Sequence, residues 1–411
     1  MVFVKTQDLR EGMRLAKPIF NKNGTLLYDR ESRLTKTAIP GIANFGLPGL
    51  FILEPAEPAP PITEDEIEYE RMQTIFVFQI REDFSLIEQE KQPKHLHKIV
   101  ETIMQSYGKL DKRITFVQNL RSSEDFTYKH GFNTAILCCM LCHELSVDSA
   151  HQLALCYAGL IHDIGMVGKP GANNKRAEKA ESEKKPNKYS PGEPNFKFFE
   201  QYNQRLNSYY ILNPEGVEPF GFPQTALAIV RQFAQALYHP DLLENEKQAA
   251  AWTFDSKILH VANTFDMMTA MREDSEPMSY LSAIRYMKKN PQYYDSVVVN
   301  ALCRCLNILP SGACVDLSNG GKGLVLEENP ANFECPVILQ FDSMKIIDLR
   351  DRKVARQIQI VDNMRTMDNR IKMDQETLNH FTADEKLVGQ TARVNQKLKA
   401  ANQREQAAKR K

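Results

Sequence analysis

The sequence has no net charge, no long apolar run and no signal-peptide pattern. Its 52 Lys and Arg residues balance 52 Asp and Glu residues over 411 positions, so it lacks the basic surplus expected of many nucleic-acid-binding or membrane-surface proteins. No apolar run reaches the roughly 18 residues that a spanning helix needs. The N-terminus does not follow the basic-then-apolar order of a signal peptide. The sequence therefore predicts a cytoplasmic protein with no membrane span and no nucleic acid as a partner.

Two familiar enzyme motifs are also absent. The sequence contains no Gly-x-x-x-x-Gly-Lys-Ser/Thr phosphate-binding loop and no Gly-x-Ser-x-Gly nucleophile motif. Its eight cysteines lie mostly in apolar periodic segments, which indicates reduced core thiols rather than a disulfide framework. Cys139 and Cys142 form a C-x-x-C, but no second pair follows it. Core packing is therefore favoured over zinc or redox chemistry for these two thiols.

What is present is typical of a globular protein with several domains. Hydrophobic residues make up 42% of the chain and charged residues 25%, and the length favours two or three domains. Residues 1–53 alternate short apolar runs with turn signals such as Asn23-Gly24, so we expect a small β-containing module. Residues 54–63 are rich in proline and predict a linker.

Beyond the linker, apolar residues recur at helical spacing, and the period then changes to that of strands. We expect a helical connector over 64–120 and a helical domain over 121–308, with a mobile polar loop at 169–195. Alternation around Asn319-Gly320 predicts a small β module over 309–350. Residues 351–411 predict a polar helical tail. The predicted fold class is mainly α, with a helical bundle flanked by small β-containing modules at its N-terminal and C-terminal ends.

Although the total charge is zero, acidic and basic residues are concentrated in different segments of the chain. Residues 54–70 carry seven acidic groups and no basic one, whereas residues 387–411 carry seven basic groups and one acidic group. The basic end of the tail could bind a protein partner, and a solvated helical end is the alternative interpretation.

Three side chains could form a metal site. His130 lies near the start of one apolar helix, and His162-Asp163 lies at the end of the next, where Gly165 is suited to end the helix. The negative end of a helix dipole favours a cation, and two imidazoles with a carboxylate suit Fe, Mn, Zn or Ni. Such an ion could polarise a phosphate and lower the pKa of a bound water. The alternative is that these histidines only pack in the core.

Three segments together resemble the HD superfamily, and specifically its HD-GYP branch. The segments are Tyr128-Lys129-His130, the run His-Asp-Ile-Gly-Met-Val-Gly-Lys-Pro at 162–170, and Ile-Leu-His-Val-Ala-Asn-Thr-Phe-Asp at 258–266. The resemblance covers about 121–350, and residues 1–53 look like the N-terminal module often joined to this branch. It implies a bacterial signalling protein whose helical domain holds two or three metal ions and hydrolyses cyclic di-GMP.

The resemblance can be carried over residue by residue. His130, His162 and Asp163 match family metal ligands. At other positions the sequence departs from the family pattern. Met166 replaces a lysine, Gln204 a histidine and Asn263 an aspartate, while Phe233, Ala234 and Gln235 replace two histidines and a glutamate. The Gly-Tyr-Pro signature is also missing. Each departure removes a ligand or a phosphate contact. Two ions held about 3.5–4 Å apart need more ligands than remain, so one metal site at most is expected.

Several residues stay as weaker candidates. Asn263 keeps a carbonyl oxygen without the charge and is a doubtful fourth metal contact. His239 and His260 could substitute for lost ligands, although a surface or packing role is favoured. Lys169 and the lysines of 175–188 are the nearest basic groups for a nucleotide phosphate, with a solvated loop as the alternative.

Three hypotheses follow. In the first, the chain is a catalytically impaired relative of cyclic di-GMP phosphodiesterases that acts as a receptor or interaction module. In the second, it is an active phosphohydrolase with one divalent transition metal, and its substrate is cyclic di-GMP or another nucleotide. In the third hypothesis, the chain is a scaffold that binds protein partners through its linker and C-terminal tail.

Overall fold

A computed structural model describes residues 2–44, 49–53, 64–115, 121, 125–167, 208–214, 219–237, 252–270, 277–341 and 343–363. It confirms the predicted fold class, because a mainly helical body is flanked by small antiparallel sheets at both ends. The predicted linker at 54–63, the loop at 169–195 and most of the tail lie outside the described residues. Within the described ranges, no helix combines the length and the apolar character needed to cross a membrane.

The N-terminal module, residues 2–53, has two small sheets and a hydrophobic cluster of its own. Strands β1 (Val2–Lys5), β5 (Gly49–Leu53) and β2 (Arg14–Leu15) pair antiparallel in that order, and a short helix, α1, covers Ala38–Ala43. Strands β3 (Ile19–Phe20) and β4 (Leu26–Tyr28) form the hairpin that Asn23-Gly24 predicts. Gly24 has φ of 74°, a conformation that favours glycine because it has no Cβ.

The helical body contains α2 to α9, whose buried apolar residues form one continuous cluster. Its longer described helices are α2 (Glu64–Glu88), α3 (Leu96–Tyr107), α4 (Phe126–Glu144), α5 (Ser149–Ile161), α6 (Gln224–Leu237), α7 (Phe254–Thr269), α8 (Tyr280–Lys289) and α9 (Ser296–Cys305). Side-chain caps begin several of them: Asp148 accepts hydrogen bonds from backbone N–H groups at the start of α5, and Thr253 does so at the start of α7. Helices α2 and α3, predicted as a connector, share this core.

Helix α4 is buried on nearly all sides and lies very close to α5. A helix that is apolar all round is expected to be central in the core. The close approach depends on two glycines: a Cβ built on Gly159 would lie 2.8 Å from the Ala135 Cα, and one on Gly131 would lie 2.5 Å from the Leu160 carbonyl oxygen. The small residues therefore bring the His130 end of α4 next to the His162 end of α5.

The cysteines of these helices lie in the core. Cys138, Cys139 and Cys142 of α4 and Cys156 of α5 are all buried. Burial raises the pKa of the Cys138, Cys142 and Cys156 thiols well above the ordinary value, so these groups are neutral thiols rather than thiolates. This environment agrees with core packing.

The C-terminal sheet has five antiparallel strands in the order β10-β6-β7-β8-β9. They are β6 (Cys314–Leu317), β7 (Lys322–Glu327), β8 (Val337–Gln340), β9 (Lys345–Asp348) and β10 (Ile360–Asn363), with the short helix α10 (Arg352–Ala355) before β10. The hairpin at Asn319-Gly320 is confirmed. The boundary at residue 350 is wrong, because the sheet continues to residue 363. Pairing with β6, burial of Ile360 and hydrogen bonds from Ser279 and Ser282 to Asp362 hold β10 in place.

Candidate metal centre

His130 is fixed in orientation by a buried carboxylate. It lies in the first turns of α4, fully buried, and its Nδ1 lies 2.6 Å from Oδ2 of Asp266 on α7. The ring also stacks on Phe126, one turn earlier in the same helix. Because a carboxylate accepts hydrogen bonds, Nδ1 carries a proton, and in the neutral ring the Nε2 lone pair points away from Asp266.

His162 is fixed in the same way by a backbone carbonyl. Helix α5 ends at Ile161, so His162 is its C-cap residue, and its Nδ1 lies 2.9 Å from the Gly159 carbonyl oxygen. The helix therefore ends earlier than the Gly165 position that the sequence predicts, and a short 3-10 turn follows at Ile164–Met166. A carbonyl oxygen only accepts, so Nδ1 donates, and in the neutral ring Nε2 presents its lone pair.

The two Nε2 atoms converge with the Asp163 carboxylate. One ligand atom from each of His130, His162 and Asp163 lies within 4.8 Å of the other two, and all three residues are buried. Asp163 Oδ2 lies 3.7 Å from Nε2 of His130 and 3.5 Å from Nε2 of His162. Asn263 Oδ1 lies 3.0 Å and 3.1 Å from the same two nitrogens. Side chains from α4, α7 and the end of α5 thus meet at one point.

These spacings fit a single ion. Ligand atoms bound at about 2.1 Å lie about 3.0 Å apart in octahedral coordination and about 3.4 Å apart in tetrahedral coordination. The four measured separations run from 3.0 to 3.7 Å. Two imidazole lone pairs and one carboxylate suit a divalent transition metal. The group could therefore hold one metal ion, with Asn263 placed to contribute a carbonyl oxygen.

A buried ion pair stands behind His130. Arg121 donates two hydrogen bonds of 2.6 Å to the two carboxylate oxygens of Asp266, and both side chains are almost completely buried. Burial alone would raise the pKa of Asp266, but the Arg121 charge and the hydrogen bonds from Arg121 and His130 outweigh it and hold this pKa well below its usual range. Asp266 therefore stays ionised, and it is an outer-shell partner of the type that orients metal-binding histidines.

The hydrogen-bond network continues to α2. Asn133 on α4 donates to Asp266 Oδ1 at 2.9 Å and accepts through its own Oδ1 from the Tyr69 hydroxyl at 2.5 Å. Gln73, one turn after Tyr69, donates to the same Asn133 oxygen at 3.0 Å. Glu70, the residue after Tyr69 on α2, pairs with Lys17 of the N-terminal module at 3.4 Å. Packed polar contacts therefore connect the module, α2 and the candidate centre.

Two of the positions where the resemblance implies further ligands are apolar. Phe233 is buried on α6, and its ring packs edge-on against His162 with the centroids 5.5 Å apart. Ala234, which follows it, is also buried. His260 is buried and stacks on Tyr294. Met166 lies half-buried at the end of the 3-10 turn.

Several other candidates cannot be placed. Lys169, the lysines of 175–188, Gln204 and His239 lie outside the described residues, and the side chain of Gln235 is likewise not described. Their roles stay predictions.

Sequence reasoning did not identify Arg121, Asn133 or Asp266. For Asp266 a signal existed, because it follows Asn263 by three residues and so shares its face of α7. Arg121 carried no such signal: it is an isolated basic residue, and its partner lies 145 positions away.

One curated relative was found among known proteins. A cyclic di-GMP phosphodiesterase of Pseudomonas aeruginosa strain PAO1 is 23% identical over 270 residues, which cover 61% of this chain and 56% of the relative. The match thus spans little more than half of the relative's length. It suggests the family that the sequence motifs indicate. No protein-family model matches the chain, and no solved structure matches it significantly.

Proposed function

We propose that this chain is an HD-GYP-related protein of cyclic di-GMP signalling that holds at most one metal ion and acts as a receptor or interaction module. The relative's activity supports the signalling context. A cytoplasmic location and a protein partner for the C-terminal tail are parts of this proposal.

The carrying observation is the contrast between the two sides of His162. On one side His130, Asp163 and Asn263 meet it with spacings suited to one ion. On the other side Phe233 packs against it, where the resemblance implies a ligand. A phenyl ring cannot coordinate an ion, and Ala234 has no donor atom. A two-metal displacement therefore lacks support from these positions.

The retained ligands also support a second candidate function, a phosphohydrolase with a single ion. His130, His162 and Asp163 would hold the ion, and a bound divalent ion would supply Lewis-acid polarisation of a phosphate and acidify a water. Asp266 and the Gly159 carbonyl accept from the two Nδ1 atoms, so both Nε2 atoms stay aimed at the centre. Nothing in this ligand set favours cyclic di-GMP over another nucleotide.

One set of measurements on the purified full chain separates these candidates. Protein expressed with added Fe and Mn is analysed for metal content, for cyclic di-GMP binding by calorimetry and for hydrolysis of cyclic di-GMP and its linear product by chromatography. His162→Ala removes a ligand, and His151→Ala is the control, because His151 lies on the same helix with about half of its side chain exposed.

We expect no more than one metal per chain, loss of that metal in His162→Ala but not in His151→Ala, and no hydrolysis by any variant. Metal-dependent turnover that His162→Ala abolishes would overturn the receptor proposal in favour of the phosphohydrolase. Absence of bound transition metal in the wild-type chain would refute the metal centre in both.

A further inference from the structure

Asn263 occupies a position where hydrogen-bond acceptors outnumber donors. His130 donates from Nδ1 to Asp266, and His162 donates from Nδ1 to Gly159. In their neutral forms, both imidazoles then present an Nε2 lone pair to the same terminal atom of Asn263, at 3.0 and 3.1 Å. With the amide oxygen in that place, these three acceptors face one another beside the Asp163 carboxylate, whose Oδ2 lies 3.7 and 3.5 Å from the two nitrogens. Such an arrangement needs either a cation or two protons between the atoms.

An asparagine side chain can meet this need in two ways. With its oxygen turned inward, it contributes a fourth ligand atom to an ion. Rotation of the amide by half a turn exchanges oxygen and nitrogen at nearly the same positions. The inward NH2 group then has two N–H donors, one for each imidazole nitrogen.

We infer that Asn263 bridges His130 and His162 through its NH2 group when no metal is bound, and turns its carbonyl oxygen inward when an ion enters. The inference rests on the proposed metal centre only for the second of these states. The residue thus stabilises a closed, metal-free centre. An aspartate, which the resemblance implies at this position, has no N–H group and cannot form this bridge.

The bridge weakens metal binding by competition. An entering ion must displace both hydrogen bonds before it reaches the imidazole lone pairs. Two hydrogen bonds of ordinary net strength correspond to about a thirty-fold effect on a binding constant. Asn263→Asp should raise metal affinity in two ways, since it removes the competing donors and adds a negatively charged ligand. We therefore expect Asn263→Asp to bind a divalent ion at least about ten-fold more tightly than the wild type.

The test compares metal-free stability with metal affinity. The test uses four full-length proteins: wild type, Asn263→Ala, Asn263→Asp and the control Asn307→Ala. Each is stripped with chelator and transferred to metal-free buffer. One portion is used for thermal unfolding, and a separate folded portion is titrated with Mn²⁺ by calorimetry. Asn307 is a half-buried amide whose side chain donates a long hydrogen bond of 3.4 Å to Thr115, and no described contact joins it to the centre. Imidazole ¹⁵N spectra of histidine-labelled protein report directly on the acceptor state of both buried Nε2 atoms.

If Asn263 bridges the histidines, Asn263→Ala lowers the metal-free melting temperature more than Asn307→Ala does, and it shifts the Nε2 signals of both buried histidines. If Asn263 is only a metal ligand, Asn263→Ala weakens Mn²⁺ binding while it leaves the metal-free stability and the Nε2 signals at control values; this result overturns the inference. Failure of every variant, Asn263→Asp included, to bind Mn²⁺ would instead refute the metal centre, and the bridge would still be judged by the metal-free measurements.

Discussion

Replacing Asp266 by asparagine should destabilise the protein strongly, because it removes a carboxylate that pairs with the buried guanidinium of Arg121. Arg121 is 2% exposed, and its two hydrogen bonds to Asp266 are both 2.6 Å long. Removing one partner of a buried ion pair typically costs about 3–5 kcal/mol, because the other charge stays buried without compensation. A domain has about 5–15 kcal/mol in total. The change should therefore be visible as a large fall in the urea midpoint.

Two further variants make this prediction specific. Asp255→Asn is the control, since Asp255 lies in the first turn of the same helix. Its described contact with a basic side chain is long, 3.9 Å to His151. Its loss should cost less than about 1 kcal/mol. The double variant Arg121→Met with Asp266→Asn removes both buried charges, and it should be more stable than Asp266→Asn alone by about 1–3 kcal/mol. A single variant that unfolds at the control's midpoint, or a double variant no better than the single, would refute the reasoning.

The pH dependence has a defined sign. The folded-state pKa of Asp266 is lowered, whereas the unfolded value is about 3.9. A lowered folded pKa means that the group's stabilisation is fully present above the unfolded pKa and is lost as pH falls towards the folded pKa. The stability difference between wild type and Asp266→Asn should thus be constant from pH 7 to about 5 and shrink below about 4. A difference that grows on acidification contradicts the assignment.

Three other predictions concern packing and hydrogen bonds. Tyr69→Phe deletes the buried hydrogen bond that the hydroxyl donates to Asn133 and the one that it accepts from Gln73, while Gln73 can still donate to Asn133. Urea unfolding should therefore show a loss of about 1–2 kcal/mol; no loss would mean that these bonds contribute nothing. Gly159→Ala places a Cβ 2.8 Å from the α4 backbone and should cost about 1–3 kcal/mol, whereas Gly41→Ala, with open space around the new Cβ, should be neutral or stabilising. The buried thiols, Cys156 for example, should resist a thiol reagent at pH 8 until the protein is unfolded, because burial raises their pKa; rapid labelling of native protein would contradict this.

The sequence was sufficient for features that depend on local pattern. Asn23-Gly24 and Asn319-Gly320 predict two hairpins that the structure contains, since their turns need residues that tolerate unusual backbone angles. Helical periodicity likewise predicts the mainly α fold class. Strand β10 was missed because four residues carry little periodicity, and its place depends on β6 and on side chains of α8.

Features that depend on distant partners could not be predicted from pattern. Helix α5 ends at Ile161, and the ring of the next residue, His162, donates to the Gly159 carbonyl; no periodicity reports such a bond. The Arg121 and Asp266 pair joins residues 145 positions apart. Asp266 and the Gly159 carbonyl together determine which nitrogen of each histidine faces the centre. Motif spacing can therefore nominate ligands, but the orientation of their lone pairs is a property of the folded core.

Charge balance gives a reason, independent of ligand number, why one ion suits this centre better than two. Among the described side chains, Asp163 supplies the one negative charge available to an ion, because the charge of Asp266 is matched by Arg121. One divalent ion with two neutral imidazoles would leave a net charge of about +1, and two ions would leave about +3 in a buried site, where uncompensated charge is costly. A net charge of +1 is suited to an anionic phosphate. The same centre could thus bind a nucleotide phosphate without the second ion that in-line displacement at a two-metal site requires.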